Sequence, residues 1–285
     1  MLQRSKSAIF IVLIGLVPAI LGGPIFAAVF TGIGLAAYYE FLAMCGIANS
    51  PMATVGYISI VAFASVALLT RDPAAIAGAL VFALLAPLVR TLAMPVSADN
   101  LVEWALTATG TLYLGLPVFA AITLRQHEGA SSFQWVNDLA DVLVPGDTST
   151  GNGMGWFLFV LLVIWLSDTC AYLVGKQFGR NKLIPHISPN KTVEGAIGGL
   201  TAAAITGAVC AWAFGMDLHP AAGFGLAAAI AVAGMLGDLA ESLIKRQVGV
   251  KDSGNLIPGH GGVLDRIDAL MFGLLVAWIA LPWLG

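Results

Sequence analysis

Long unbroken apolar runs are the feature that most restricts how this chain can fold. Residues 156–166 read WFLFVLLVIWL, and similar runs recur along the sequence. Strands of a membrane barrel alternate apolar and polar residues over about ten positions, so continuous runs favour helices over a barrel. Only 10% of the residues are charged, against roughly 25% in soluble domains, which leaves too little polar surface for a soluble fold. The sequence therefore predicts an all-α, polytopic integral membrane protein.

Gly, Pro and charged residues divide the apolar runs into about nine segments of transmembrane length, which is roughly 20 residues each. The predicted spans cover residues 7–22, 25–46, 52–70, 74–94, 102–124, 154–176, 193–215, 221–245 and 263–284. They form N-terminal membrane helices over 1–125 and a C-terminal membrane region over 154–285, joined by a polar loop over 126–153 with room for a short surface helix. The basic and then apolar N-terminus is interpreted as a retained first helix, because no convincing small-residue cleavage site follows it.

Lys and Arg are distributed unevenly between the two ends of these spans. Only Arg71 and Arg125 fall on the side that holds the loop 126–153. The other side holds the N-terminus and the loops after every second span, and it collects Arg4, Lys6, Arg90, Lys176, Arg180, Lys182, Lys191, Lys245, Arg246, Lys251 and Arg266. Since cytoplasmic loops are enriched in Lys and Arg, the N-terminus is predicted to be cytoplasmic.

Carboxylates lie at unusual depths in the C-terminal spans. Asp168 is inside the sixth predicted span, Asp238 and Glu241 are inside the eighth, and Asp265 and Asp268 open the ninth. Ionisable residues at membrane depth cost several kcal/mol and usually mark function. Salt bridges between helices could explain a single such acid, but they are a weaker explanation for several acids beside two basic loops.

The spacing of these residues indicates a site for a divalent cation and phosphate. Asp238, Glu241 and Lys245 are three and four residues apart and share one helix face, whereas Asp265 and Asp268 share a first helical turn. Carboxylate oxygens from two helices suit Mg²⁺, so Asp238, Asp265 and Asp268 are the predicted metal ligands. A second cation is compatible with this arrangement. The neighbouring Lys and Arg side chains would hold phosphate charge.

Two polar loops next to these spans fit an anionic substrate. In 188–199 a Thr precedes Glu-Gly at a predicted helix start, where free backbone N–H groups can bind phosphate. In 251–262 several Gly residues permit close approach of the backbone to a ligand. The GxxxxGK[ST] pattern of a Walker loop is absent from the sequence.

The segment from Ser242 to Asp268 resembles a known family signature. The matching residues are Ser242, Lys245, Arg246, Lys251, Asp252, Pro258, Gly259, His260, Gly261, Gly262, Asp265, Arg266 and Asp268. The pattern is similar to that of the phosphatidate cytidylyltransferase family, also called CDP-diacylglycerol synthases. Residues 167–172, 188–192 and 237–242 also fit, and the N-terminal spans resemble the family only in being apolar.

The resemblance implies an Mg²⁺-dependent reaction of CTP with phosphatidic acid that gives CDP-diacylglycerol and pyrophosphate. It places the catalytic region in 154–285, on the cytoplasmic side of the cell's inner membrane. The expected catalytic residues are Asp265, Asp268, Lys251, Arg266 and His260, although His260 is equally compatible with ordering its loop. The expected substrate-binding residues are Ser188, Lys191, Lys245, Arg246, Asp252, Glu241 and Asp168. The expected partners are CTP, phosphatidic acid and the bilayer, without nucleic acid, and a homodimer is left open.

Two other functions remain open from the sequence alone. A CTP-dependent kinase of polyprenols or other lipid alcohols would use a similar nucleotide site but transfer the γ-phosphate, and the full signature argues against it. A secondary transporter would carry charged residues near the middle of the membrane, whereas the charges here collect at one side. The pattern of the CDP-alcohol phosphotransferases is absent from the sequence.

Overall fold

The computed structural model describes residues 13–70, 72–97, 99–129, 131–132, 134–143, 150–257, 259 and 261–284. Ten helices and one small hairpin make up this part of the chain. In chain order they are α1 (13–21), α2 (Gly23–Met44), α3 (Pro51–Leu69), α4 (Pro73–Thr91), α5 (Asp99–Arg125), α6 (Gln134–Leu143), α7 (Thr150–Phe178), β1 (Lys182–Ile184), β2 (Ser188–Thr192), α8 (Val193–Ala213), α9 (Pro220–Gln247) and α10 (Leu264–Leu284).

The helices begin where the sequence provides capping residues. Ser50 Oγ accepts a hydrogen bond from the backbone N–H of Met52 at 3.2 Å, and an Asp72 oxygen accepts one from Ala74 at 2.9 Å. Each of these caps is followed by a proline, which lacks the N–H group that a first helical position would leave without a partner. The Ser-Pro and Asp-Pro pairs therefore end one predicted span and start the next.

The prediction of an all-α polytopic membrane protein is confirmed. Eight of the described helices, α2 to α5 and α7 to α10, are long and apolar enough to cross a membrane. The first predicted span, 7–22, lies partly outside the described residues, and 13–21 are helical, so the count of nine spans stays a prediction. The short helix in the polar loop is present as α6. The predicted division at residues 125 and 153 also stays a prediction.

Contacts between loops show which helix ends lie together. Ser50 bonds to Glu103 in the first turns of α5 at 2.6 Å, and Arg246 at the end of α9 approaches the Ile187 carbonyl in the hairpin at 3.4 Å. At the opposite end, Arg125 donates to the Ala19 carbonyl at 2.6 Å. Glu40, near the end of α2, accepts a hydrogen bond from Ser253 in the loop after α9, so the loops after α2, α4, α7 and α9 share one end of the bundle, which we call the basic end.

The two-stranded hairpin at the basic end is absent from the sequence prediction. β1 and β2 pair antiparallel, with Lys182 opposite Thr192 and Ile184 opposite Ser188. The strands are short and partly exposed, so they carry too few residues for an alternating pattern to be recognised. The hairpin leads directly into α8, whose first turn is capped by Thr192 Oγ1 accepting from the Gly195 N–H at 3.1 Å.

Small residues allow the C-terminal helices to pack closely. A side chain on Gly199 of α8 would lie 2.8 Å from the Ser167 carbonyl oxygen and 2.9 Å from the Ala171 Cβ, both on α7. Close approach of this kind is a common mode of helix association in membranes. The helix α10 also packs against α2 and α5, which brings the N-terminal helices up to the C-terminal ones.

Candidate active site

A cavity of about 1080 Å³ opens among α7, α8, α9, α10 and the hairpin. Most of the site residues predicted from the sequence line it: Asp168, Lys191, Asp238, Glu241, Lys245, Asp252, Asp265, Arg266 and Asp268. These residues come from three helices, one strand of the hairpin and the loop before α10, which are distant in sequence. The cavity is large enough for a substrate the size of a nucleotide, since ligand pockets measure about 300–1,000 Å³.

Lys245 stands between two carboxylates on one side of the cavity. Its Nζ lies 2.6 Å from Glu241 Oε2, one turn earlier on α9, and 2.7 Å from Asp265 Oδ1 on α10. The Glu241 side chain is only 1% exposed and that of Asp265 is 8% exposed. One ammonium group therefore compensates two nearly buried negative charges. The contact between Glu241 and Lys245 is the one that their spacing of four residues predicts.

Asp265 also organises the backbone of the loop that precedes α10. Its carboxylate accepts hydrogen bonds from the N–H of Ser253 at 3.0 Å and from the N–H of Gly262 at 2.8 Å. The Asp265 N–H in turn approaches Ser253 Oγ at 3.3 Å. A carboxylate in the first turn of a helix is favoured by the helix dipole. Asp265 thus binds the backbone near both ends of the loop 251–263, which we call the signature loop, and also binds the ammonium group of Lys245.

A second cluster, next to the first along α9 and α10, is poorer in positive charge. Lys191 Nζ lies 2.5 Å from Asp238 Oδ2 and joins the hairpin to α9. Asp168 and Asp268 lie near enough to Asp238 for the three carboxylates to repel one another. Among the described residues, neither Asp168 nor Asp268 has a basic partner within 4 Å. Three carboxylates with one ammonium group leave an excess of negative charge in this cluster.

The two clusters differ in how well they would suit a cation. In the described part of the chain, no group of three or more His, Cys, Asp or Glu side chains is arranged as a metal site. Both Asp265 oxygens already accept hydrogen bonds from Lys245 or backbone N–H groups. Asp168, Asp238 and Asp268 provide the hard oxygen donors that Mg²⁺ prefers. The donor chemistry therefore fits a hard cation best in the second cluster.

Some predicted residues lie away from the cavity lining. Ser188, Arg246 and Lys251 do not line it, and Arg246 instead approaches the hairpin carbonyl of Ile187. Their roles in holding phosphate stay predictions. His260, which was predicted to be catalytic or to order its loop, lies outside the described residues.

A comparison with protein families decides how this arrangement is classified. The model of the cytidylyltransferase family matches residues 2–284, which is nearly the whole chain. The chain belongs to the cytidylyltransferase family. The resemblance seen in the signature from Ser242 to Asp268 is thereby confirmed, and it extends through the N-terminal spans.

Curated relatives carry a more specific name. A phosphatidate cytidylyltransferase of Staphylococcus aureus is 47% identical over 123 residues, which cover 43% of this chain and 47% of the relative. One of Staphylococcus saprophyticus is 49% identical over 125 residues, with the same coverage of both chains. The match therefore spans about half the length of these relatives.

Two residues of the N-terminal helices lie next to the site and were not predicted from the sequence. Glu40 of α2 is 2% exposed and contacts the signature loop. Tyr113 of α5 lies near Glu241, Asp268 and Asp238, and its buried hydroxyl has no hydrogen-bond partner among the described residues. Glu40 is a charged residue inside an apolar run, which is the signal that could have found it. A tyrosine in an apolar helix gives no comparable signal.

Removing the charge of Lys245 is expected to destabilise the protein strongly. The Lys245→Met variant leaves Glu241 and Asp265 nearly buried without their shared ammonium group, and breaking a buried ion pair from one side costs about 3–5 kcal/mol. We expect a clear drop of the melting temperature in detergent. The double variant with Glu241→Gln should recover part of this drop, because one of the two uncompensated charges is gone. Equal melting temperatures for Lys245→Met and wild type would contradict this account of the pair.

Proposed function

We propose that this protein is a phosphatidate cytidylyltransferase that joins CTP to phosphatidic acid and releases pyrophosphate. The observation that carries the proposal is the cavity at the basic end, where lysines and carboxylates of the signature segment converge beside the hairpin. Membership of the cytidylyltransferase family and the names of the relatives support the same reaction. Both proposed substrates are polyanions, which suits the basic residues around the cavity.

In the proposed reaction, a phosphate oxygen of phosphatidic acid attacks the α-phosphorus of CTP. The bond between this phosphorus and the oxygen of the β-phosphate breaks, and pyrophosphate leaves in line. Lys245, Lys191 and Arg266 line the cavity and would neutralise phosphate charge, which is the main task of the protein in phosphoryl-type transfer. The second pKa of a phosphate monoester is near 6, so the nucleophile is mostly ionised at neutral pH and needs no strong base.

The proposed cofactor is Mg²⁺, held by Asp238 and Asp268 with Asp168 close by. When bound, the ion would neutralise and orient phosphate oxygens. Asp265 remains a predicted metal ligand, although its carboxylate already accepts hydrogen bonds from Lys245 and from the signature loop. Lys191 and the ion would both contact the Asp238 carboxylate. Through this ion pair, Lys191 connects the hairpin to the second cluster.

We further propose that the basic end faces the cytoplasm and that the protein lies in the inner membrane. The predicted bias of Lys and Arg supports this orientation. Loops from the end of α7 to β2 and from the end of α9 to α10 meet at this end, beside the cavity. Cytoplasmic CTP and a lipid substrate from the adjoining leaflet could then reach the same cavity.

The experiment that tests the proposal is a product assay on the purified protein in mixed micelles. We expect CDP-diacylglycerol to form from CTP and phosphatidic acid in the presence of Mg²⁺, and not when Mg²⁺ is chelated. A parallel reaction with polyprenol or diacylglycerol in place of phosphatidic acid tests the kinase alternative. Formation of CDP and a phosphorylated lipid in that reaction, without any CDP-lipid in the first, would reject the proposal.

A further inference from the structure

Glu40 is a buried acid of α2 that touches the signature loop. Its side chain is 2% exposed, although it belongs to an apolar helix in the N-terminal part of the chain. Its Oε2 accepts a hydrogen bond from the Leu264 N–H at 2.9 Å and another from Ser253 Oγ at 3.2 Å. Leu264 is the first residue of α10 and Ser253 lies near the start of the loop. One carboxylate thus joins Ser253, near the start of the signature loop, to the first residue of α10.

These contacts lead directly to Asp265. The N–H of Ser253 donates to the Asp265 carboxylate, and the Asp265 N–H approaches Ser253 Oγ. Asp265 in turn holds Lys245 at 2.7 Å. Glu40 is therefore connected to Asp265 in two ways. Ser253 contacts both carboxylates, and Leu264, which donates to Glu40, directly precedes Asp265 in the chain. A shift of Glu40 would move the group that aims Lys245 into the cavity.

The loop is packed closely around this carboxylate. A Cβ atom on Gly254 would lie 2.5 Å from Glu40 Oε1, and one on Gly262 would lie 2.5 Å from Glu40 Oε2. Only residues without a side chain fit at these two positions while Glu40 stays in place. The glycines of the signature loop thus make room for an acid from a different part of the chain.

Burial of this acid is costly, and its partners compensate the cost only in part. The N–H of Leu264 belongs to the start of α10, where the helix dipole favours a negative charge. Ser253 adds one neutral donor, while Glu40 Oε1 has no hydrogen-bond partner among the described residues. An apolar residue would have a lower free-energy cost at this depth in the membrane. The contacts of Glu40 with the signature loop and α10 therefore have to explain why an acid is present.

We propose that Glu40 is a positioning residue for cytidylyl transfer. It anchors the signature loop to α2 and so keeps Asp265 and Lys245 aligned with the cavity. This inference rests on the proposed function, because alignment matters only if Asp265 and Lys245 serve the reaction. It also gives the N-terminal spans a direct part in the geometry of the site.

The test compares three substitutions of Glu40 in the full-length protein. Glu40→Leu removes both hydrogen bonds, and we expect kcat to fall on the order of 10²-fold, as for other small misplacements of reacting groups. The Michaelis constant for CTP should change much less. Glu40→Asp withdraws the carboxylate by one methylene and should also lower kcat. Glu40→Gln can still accept both hydrogen bonds and should stay within about tenfold of wild type.

A matched control is Glu103→Leu. Glu103 is also an acid of an N-terminal helix at the basic end, and it accepts a hydrogen bond from Ser50 in a loop, but no contact among the described residues joins it to Asp265. We expect wild-type kcat for this variant. Folding is measured for every variant by melting temperature and size exclusion, and kcat is expressed per folded enzyme. Wild-type kcat per folded enzyme in Glu40→Leu or Glu40→Asp would overturn the proposal, as would equal losses in Glu40→Gln and Glu40→Leu.

A second readout does not depend on activity. Trypsin can cleave after Lys251, which is exposed in the signature loop. We expect cleavage there to be faster in Glu40→Leu than in wild type or Glu103→Leu, because the loop has lost its anchor. Equal cleavage rates would overturn the proposal. If wild-type protein makes no CDP-lipid, the proposed function fails, and the cleavage rates still decide whether Glu40 holds the loop.

Discussion

Replacing Asp265 by Asn is expected to lower CDP-diacylglycerol formation on the order of 10³-fold, similar to the loss of a preorganised electrostatic contact at other active sites. The Asp265 carboxylate accepts hydrogen bonds from Lys245 Nζ at 2.7 Å and from the N–H groups of Ser253 and Gly262. An asparagine presents one acceptor and one donor, so its NH₂ group would face either the ammonium of Lys245 or a backbone N–H. Both Lys245 and the loop then lose their fixed positions.

The measurement is the initial rate of CDP-lipid formation per folded enzyme in detergent micelles. Asp217→Asn is the matched control, because Asp217 is an exposed acid between α8 and α9, at the end of the bundle opposite the cavity. We expect its rate to equal that of wild type. Near-normal turnover of Asp265→Asn would contradict the assignment of Asp265 as the centre of the site.

Replacing Asp268 by Asn is expected to raise the Mg²⁺ concentration needed for half-maximal activity by about 10–100-fold, the range found when groups that support a metal site are removed. Asp168, Asp238 and Asp268 share one wall of the cavity with Lys191, which lies 2.5 Å from Asp238. Loss of one carboxylate weakens the attraction for a divalent ion. Saturating Mg²⁺ should restore part of the rate.

The comparison of Asp268→Asn with Asp265→Asn separates the two clusters. For Asp265→Asn we expect a lower maximal rate with a nearly unchanged Mg²⁺ dependence, because its carboxylate is already bound to Lys245 and the loop. An Asp268→Asn variant with wild-type Mg²⁺ dependence would contradict the proposed location of the ion. A large shift for Asp265→Asn would instead return Asp265 to the set of metal ligands.

The fold could be predicted from the sequence wherever the apolar runs have clear ends. The Ser50-Pro51 and Asp72-Pro73 pairs end predicted spans, and the helices α3 and α4 begin at these prolines. The hairpin of β1 and β2 could not be predicted in this way, because β1 has only three residues and β2 is polar and contains a proline. Its form depends on pairing across the turn and on the start of α8.

The site was predictable where the residues belong to one helix. The spacing of Glu241 and Lys245 places them on one face, and their side chains meet at 2.6 Å. The ion pair between Lys191 and Asp238 and the contact between Lys245 and Asp265 join separate elements. Such pairs depend on the relative height and rotation of neighbouring helices, which a single sequence does not encode locally. The charge of Glu40 within an apolar run was visible in the sequence, but its partners Ser253 and Leu264 were not predictable, for the same reason.

The most direct test of the central claim follows the phosphorus atoms of CTP. Purified protein is given phosphatidic acid, Mg²⁺ and CTP that carries ³²P at the α-position, and a parallel reaction uses CTP labelled at the γ-position. The account predicts label from the α-position in a CDP-lipid and label from the γ-position in pyrophosphate. Label from the γ-position in the lipid, or no labelled lipid from the α-position, would contradict it.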